Sequence, residues 1–175
     1  MSSARPVVDL TWSDVMSGGH LGLMVGVSAM ARKLEDGRSD LGLGRHVEGA
    51  IAEMAFAYWL GVPYRPVVGK LDMATGDVAR CQVRSTAIPE GSLIVKQDDP
   101  PSFPYVLALL CPHKGGVRVR LAGWLDGAEA KDERYWRERG SAPGIHRSAF
   151  FVPQSALRPL DTLPLLDDRA RRLTA

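Results

Sequence analysis

Cysteine is scarce in this sequence. There are two, Cys81 and Cys111, too far apart to offer a C-x-x-C zinc motif or a dense disulfide framework. Both fall in segments of strand character and are expected as free thiols in a reducing compartment. Charge of one sign is lacking as well. The formal net charge is only +2, so bulk electrostatics do not announce a nucleic-acid binder. The local arginines at Arg118 and Arg120, and at Arg169, Arg171 and Arg172, read as solvated faces. No run approaches the roughly 18 apolar residues of a membrane span. Residues 1–9 lack the basic stretch and apolar core of a secretory leader, so the expected location is the cytoplasm. The four histidines, His20, His46, His113 and His146, form no H-x-x-x-H step, which removes the usual histidine metal pair. Gly42 and Gly44 lack both the G-K-[ST] ending and the preceding strand of a phosphate-binding loop.

What remains is ordinary globular material: 175 residues, 45% hydrophobic and 24% charged, the composition of a chain that buries a core rather than one that stays disordered. Single domains usually run to about 100 to 200 residues, so one domain over residues 1–175 is expected.

Periodicity sets the order of elements. Residues 11–34 open with capping-type residues and place Leu23, Met24, Val27, Met30, Ala31 and Leu34 at helical spacing, which predicts an amphipathic helix whose start Gly18 and Gly19 delay. A glycine-containing loop is expected over residues 35–45. A second helix is predicted over residues 45–60, ended by Gly61 and Pro63. Its segment GAIAEMAFAYWLG holds one charge, Glu53, among small and apolar neighbours, so it reads as a core helix. From Val67 onward the period changes, and strands are predicted at residues 81–86, 93–96, 105–111 and 117–124. The run YVLALLC should be a central strand covered on both faces, whereas 117–121, with Arg118 and Arg120 outward, should lie nearer an edge. A short polar helix is expected within 126–138, a last strand at 149–152, and short helices at 153–157 and 163–173. These elements define an α/β class: a mixed sheet flanked by helices, with two N-terminal helices before the core strands.

Glu53 is the first candidate for chemistry, because an ionised carboxylate removed from water costs several kcal/mol unless a cation or donors compensate it. A solvent-facing stripe or a structural arginine partner would serve equally well. Asp77 follows Thr75 and Gly76 at the rim of the run DVARCQVRST, where aspartate is commonly a turn former. Gln82 and Arg84 share one face of the following strand, setting a carboxamide oxygen beside a fixed cation. On one straight strand Asp77 and Gln82 would point to opposite faces. A tight turn or bulge at Ala79 and Arg80 is therefore required, with Asp77 ending one strand of a hairpin and Gln82 on the next. Ser85 and Thr86 read as structural hydroxyls.

With Glu53, Asp77, Gln82 and Arg84 in this order, the chain resembles the PD-(D/E)XK nuclease superfamily, in particular uncharacterised phage and prophage members, over residues 49–124. The resemblance implies a restriction-endonuclease-like fold with its core over about 45–125 and hydrolysis of DNA phosphodiester bonds with Mg²⁺ or Mn²⁺. It makes Asp77 the main metal ligand, puts Gln82 at the second ligand position and has Glu53 assisting. Arg84 would stand where the family has a lysine. Arg80, Lys96, Arg118 and Arg120 would be contacts to the nucleic-acid backbone, and a homodimer would pair two sites. Glutamine brings less charge to a metal than a carboxylate, and arginine does not lose a proton as lysine does. Two further readings follow from those departures: a catalytically degenerate fold serving as a DNA- or protein-binding accessory module, and a structural protein in which Glu53 and Arg84 form a buried ion pair.

Overall fold

A computed structural model describes residues 5–35, 43–66 and 76–164. Its chain order begins with a strand that the sequence reading did not anticipate, β1 (Val7–Thr11), followed by α1 (Trp12–Glu35) and α2 (Leu43–Leu60). Thr11 closes β1 and caps α1 at once. Its backbone N–H and hydroxyl both donate to Asp14 Oδ2, at 2.9 and 2.6 Å, a capping box with aspartate in the reciprocal position.

The apolar stripe expected to face the core does the opposite. Leu23, Met24, Val27 and Ala31 are exposed, while Gly18, Gly22, Gly26 and Ala29 are buried. The cause is the closeness of α2: a Cβ on Gly22 would stand 2.6 Å from Val47 Cα, and one on Gly18 would stand 2.9 Å from Met54 Cε. Gly18 and Gly19 do not delay the helix; Gly18 and Gly22 let the two helices touch.

The expected core helix is present. Ala50, Ile51, Ala52, Met54, Ala55, Phe56, Ala57 and Leu60 of α2 are buried. It ends in a Schellman arrangement, with Gly61 at φ 63° and N–H groups of Gly61 and Val62 bonded to Tyr58 and Ala57 carbonyls.

The strands follow as β2 (Gln82–Thr86), β3 (Leu93–Val95), β4 (Pro104–His113) and β5 (Gly116–Asp126). They are followed by the one-turn helix α3 (Gly127–Ala130), β6 (Trp136–Arg137) and β7 (Ala149–Val152). The architecture is mixed α/β, with two sheets. The first has the order β1-β5-β4-β2, antiparallel except for the parallel β2–β4 pair; the second is antiparallel, β3-β7-β6.

As expected, β4 is central, with Tyr105 to Leu110 buried throughout. The 117–121 segment is not near an edge, because β1 pairs with β5 along its whole length and takes the edge itself. Residues 93–96 leave the main sheet for the second one. The polar helix expected within 126–138 is broken into α3, a 3₁₀ turn at Glu133–Tyr135 and β6, and that at 153–157 is a 3₁₀ turn at Gln154–Ala156. The core of the expected 35–45 loop, the strand expected to lead into Asp77, and most of the 163–173 helix lie outside the described residues.

The core has two parts divided by the main sheet. Val83, Val106, Ala108, Leu110, Val119 and Leu121 meet α2 on one side. Tyr105, Leu107, Leu109, Ala122 and Leu125 meet Leu93, Val95 and Val152 of the second sheet on the other. The alternation along β4 supplies both faces, as strand geometry requires. Among the described residues no helix is long and apolar enough to cross a membrane.

Candidate functional site

The polar centre of the molecule forms at β2, the edge of the main sheet opposite β1. Just before it the chain folds back within two residues. Ala79 and Arg80 adopt φ of 48° and 64°, Cys81 N–H donates to Val78 O at 2.8 Å and Val78 N–H to Cys81 O at 3.2 Å. Two successive left-handed residues closed by this reciprocal pair have the form of a type I′ hairpin turn. Neither residue is glycine, so the turn holds two L-residues where the backbone disfavours them. The tight turn expected at these positions is present.

Its effect is to bring Asp77 back along β2. Asp77 Oδ2 accepts from Val83 N–H at 2.8 Å, capping an amide on the open edge of the strand. Arg84 lies beside it, with Nη1 3.7 Å from Asp77 Oδ2. The same Nη1 donates to Gln82 Oε1 at 3.2 Å, and Gln82 is buried. From α2, Glu53 is close enough to Asp77 for the two charges to oppose each other. Glu53, Asp77, Gln82 and Arg84 therefore converge, although the ion pairs of Arg84 are with Asp77 and Asp99 and not with Glu53.

Three neighbours were not foreseen. Asp99 is buried and accepts from Arg84 Nη2 at 3.0 Å and from Lys96 N–H at 2.9 Å. Its own backbone carbonyl takes a hydrogen bond from Lys131 Nζ. Tyr64 donates its hydroxyl to Glu53 Oε2 at 2.9 Å. Tyr105 lies under the guanidinium, 5.2 Å from ring centre to Arg84 Cζ, a cation–π distance. The sequence carried a faint signal for Asp99 in the run KQDDP, where an aspartate closes a turn on the residue three before it. For Tyr64 it carried none, since the contact depends on how the chain leaves α2.

The electrostatics follow from three carboxylates around one guanidinium, which pairs with Asp77 and Asp99 and acts on Glu53 only through its charge. Burial and the nearby Asp77 charge push the Glu53 carboxyl from 4.5 up to about 7, against the Tyr64 hydrogen bond and Arg84. Asp77 is raised by burial and by Asp99, opposed by the Val83 amide and by Arg84. Burial also raises the Tyr64 phenol, which faces Glu53, and pushes the Cys81 thiol up to about 12. Cys81 is thus an inert buried thiol, while Cys111 is exposed and also unpaired.

The charge deficit fits a cation, and hard oxygen donors suit Mg²⁺ or Mn²⁺. Asp77, Glu53 and the Gln82 carboxamide are the residues that would hold it. Among the described residues no three His, Cys, Asp or Glu side chains gather into a cage, so such a site would rest on two carboxylates and a neutral oxygen.

The expected backbone contacts divide. Arg80 is exposed on the turn beside Asp77, and Lys96 is exposed beside the Asp99 turn. Arg118 and Arg120 lie on β5, separated from β2 by β4. Arg118 is bound through two nitrogens to Asp9 at 2.7 and 3.1 Å, which holds the Asp9 carboxyl below its usual range. Arg120 donates to Pro89 O at 3.3 Å. Neither belongs to the cluster around Asp77. Compared with family models, curated proteins and solved structures, the chain matches none.

Proposed function

We propose that this protein is a metal-dependent nuclease of restriction-endonuclease-like fold that hydrolyses DNA phosphodiester bonds at the Asp77 edge of β2. One observation carries the reading: the two-residue turn at Ala79 and Arg80 folds Asp77 back beside Gln82 and Arg84, where α2 also delivers Glu53. A lone aspartate before a strand is a turn former; four polar groups from a helix, a turn and a strand, meeting with negative charge in excess, are a site.

In this reading Asp77, Glu53 and Gln82 would hold Mg²⁺ or Mn²⁺, which would supply electrophilic activation of the phosphodiester. Glu53, whose carboxyl ionises at about 7 without a cation, would be held ionised by one and would orient the attacking water. Arg84, fixed by Asp99 and Tyr105, binds a phosphate oxygen with a permanent positive charge. Arg80 and Lys96 contact the flanking backbone, where cations are needed in no particular order.

Cleavage of supercoiled and linear DNA, duplex and single-stranded, in Mg²⁺, Mn²⁺ or EDTA tests this directly. Wild type is expected to nick in metal and not in EDTA, Asp77→Ala to lose the activity, and Gln82→Glu to gain it. A second reading, a catalytically degenerate fold that binds nucleic acid or protein, is favoured by the bond from Arg84 to Gln82 Oε1, which engages a metal-ligand oxygen. No cleavage by wild type or by Gln82→Glu in any metal would move the conclusion to that reading.

A further inference from the structure

Several cations of this protein are taken up by partners within the fold. Arg118 is bound to Asp9, Arg158 to Asp126 and Glu129, Arg84 to Asp77 and Asp99, and Arg5 to Gln154. Among the described residues, the side chains of Arg65, Arg80, Lys96, Lys114, Arg139 and Arg147 are exposed and make no hydrogen bond or ion pair. One exposed cation is ordinary. The placement of these is not.

Three of them adjoin the residues of the candidate site. Arg80 is in the turn that carries Asp77 back, Lys96 opens the turn closed by Asp99, and Arg65 follows Tyr64, whose hydroxyl holds Glu53. Arg139 and Arg147 belong to the loop over 138–148 that joins β6 to β7, and strand register brings it to the same place. β7 pairs antiparallel with β3, Phe150 opposite Val95, and β6 ends with Arg137 opposite Ala149. The loop therefore leaves the second sheet where β3 ends and Lys96 begins the Asp99 turn. Lys114 is the exception. It follows β4 at the end away from Tyr105, about 30 Å along the strand at the usual rise.

The 138–148 loop has a closed backbone and unengaged cations. Gly140 N–H donates to Ile145 O at 2.8 Å, Ile145 N–H to Ala142 O at 3.1 Å and Ser141 N–H to Glu138 O at 3.1 Å. Arg139 N–H donates to Ser148 Oγ at 3.0 Å. Gly140 and Gly144, at φ of 76° and 85°, make the reversals that these bonds need. Residues 137–147 hold three arginines and one glutamate. That glutamate, Glu138, accepts from Trp136 Nε1 at 3.1 Å and neutralises no arginine. A loop whose backbone is already closed loses less conformational freedom when a ligand meets it.

Charge complementarity identifies what the loop meets. The carboxylates around Arg84 outnumber it and repel a phosphate chain, so a polyanion held at β2 needs cations outside the cluster. Duplex DNA carries one charge per about 1.7 Å of its axis and continues past any one phosphate on both sides, which suits cations set on a separate element beside the site. We propose that the 138–148 loop is a DNA-binding arm in which Arg139 and Arg147 contact phosphates of the duplex flanking the one at Arg84. The proposal rests on the reading of the β2 edge as a site acting on DNA, and it gives to this arm the backbone contacts expected of Arg118 and Arg120.

Fluorescence anisotropy of a labelled linear duplex in EDTA, titrated with the full chain over a range of salt concentrations, tests the proposal with Arg139→Ala, Arg147→Ala and Lys114→Ala. All three changes are at exposed positions without side-chain bonds and remove one positive charge each. Wild type is expected to bind, with affinity falling as salt rises. Each arginine variant should bind about eightfold more weakly near 0.1 M salt and lower the slope of log affinity against log salt by about 0.9, the effect of one lost phosphate contact. Lys114→Ala should change neither quantity. A wild type that does not bind, arginine variants that bind like wild type, or a Lys114→Ala variant weakened as much as they are, would overturn the proposal. Cleavage in Mn²⁺ by the same proteins separates this arm from the proposed function. Cleavage by wild type with unchanged binding in both arginine variants would overturn the arm alone, whereas arginine-dependent binding without cleavage would support the arm and overturn hydrolysis.

Discussion

The two edges of the main sheet are opposites. At β2, Glu53, Asp77 and Asp99 crowd negative charge around Arg84 and leave it only partly compensated. At β1, α1 offers apolar surface with no charge along its central turns. Burial of apolar groups and pairing of charge are the two rules a fold satisfies first, and each edge leaves one of them incomplete. The lesson is that an edge is better read by which rule it leaves incomplete than by its composition. On the proposed reading the excess charge at β2 would be met by a cation, while the apolar face of α1 stands exposed.

The contrast is sharpest at Arg84. Arg84→Ala leaves the carboxylates without their bonded cation, and removal of one member of a partly buried charge network costs on the order of 3 to 5 kcal/mol. Urea denaturation near pH 7 reads that loss. Substitutions at Met16, exposed on α1, should leave the stability of the monomer unchanged in the same measurement.

Glu53 gives the next effect, and its sign depends on pH. The carboxyl ionises near 4.5 when exposed and at about 7 in the folded protein. Between those values the native state keeps a proton that the unfolded chain has released, so stability falls as pH rises through the window. Below it the group contributes nothing; above it the full cost is present. Glu53→Gln removes the cost and should stabilise the protein by on the order of 3 kcal/mol near pH 8 in chelator, with the difference gone at about pH 4. Equal stabilisation at both pH values would contradict the account.

Smaller still is the effect of Gly22→Ala on the apolar side. The added methyl meets the Val47 backbone at 2.6 Å, and overpacking of this kind costs roughly 1 to 3 kcal/mol. A thermal melt would show it. Gly44→Ala, where nothing lies within 4 Å of the new atom, serves as the control and should be neutral or slightly stabilising.

Much of this contrast was legible in the residues. The core character of α2 follows from one charge in thirteen positions of GAIAEMAFAYWLG, and the turn at Ala79 and Arg80 follows from the face parity of Asp77 and Gln82. Hydrophobic periodicity located α1 but assigned its faces wrongly, because a run rich in both glycine and large apolar residues has two stripes. Which one turns inward is set by how near α2 can come, a tertiary fact. The edge position expected for 117–121 failed because β1 was hidden in residues 7–11, of which 7–9 were read for targeting signals and Thr11 as the opening of the first helix. Asp99 and Tyr64 were missed because each reaches the site from a loop whose path no local pattern specifies.

The most direct test of the central claim, that the β2 edge is a carboxylate site short of one cation, is thermal denaturation in Mn²⁺ against EDTA for wild type and Asp77→Asn. A metal that binds only the native state raises apparent stability with its concentration. The account predicts a rising melting temperature for wild type in Mn²⁺ and little or no rise for Asp77→Asn. No rise in wild type, or the same rise in both proteins, would contradict it.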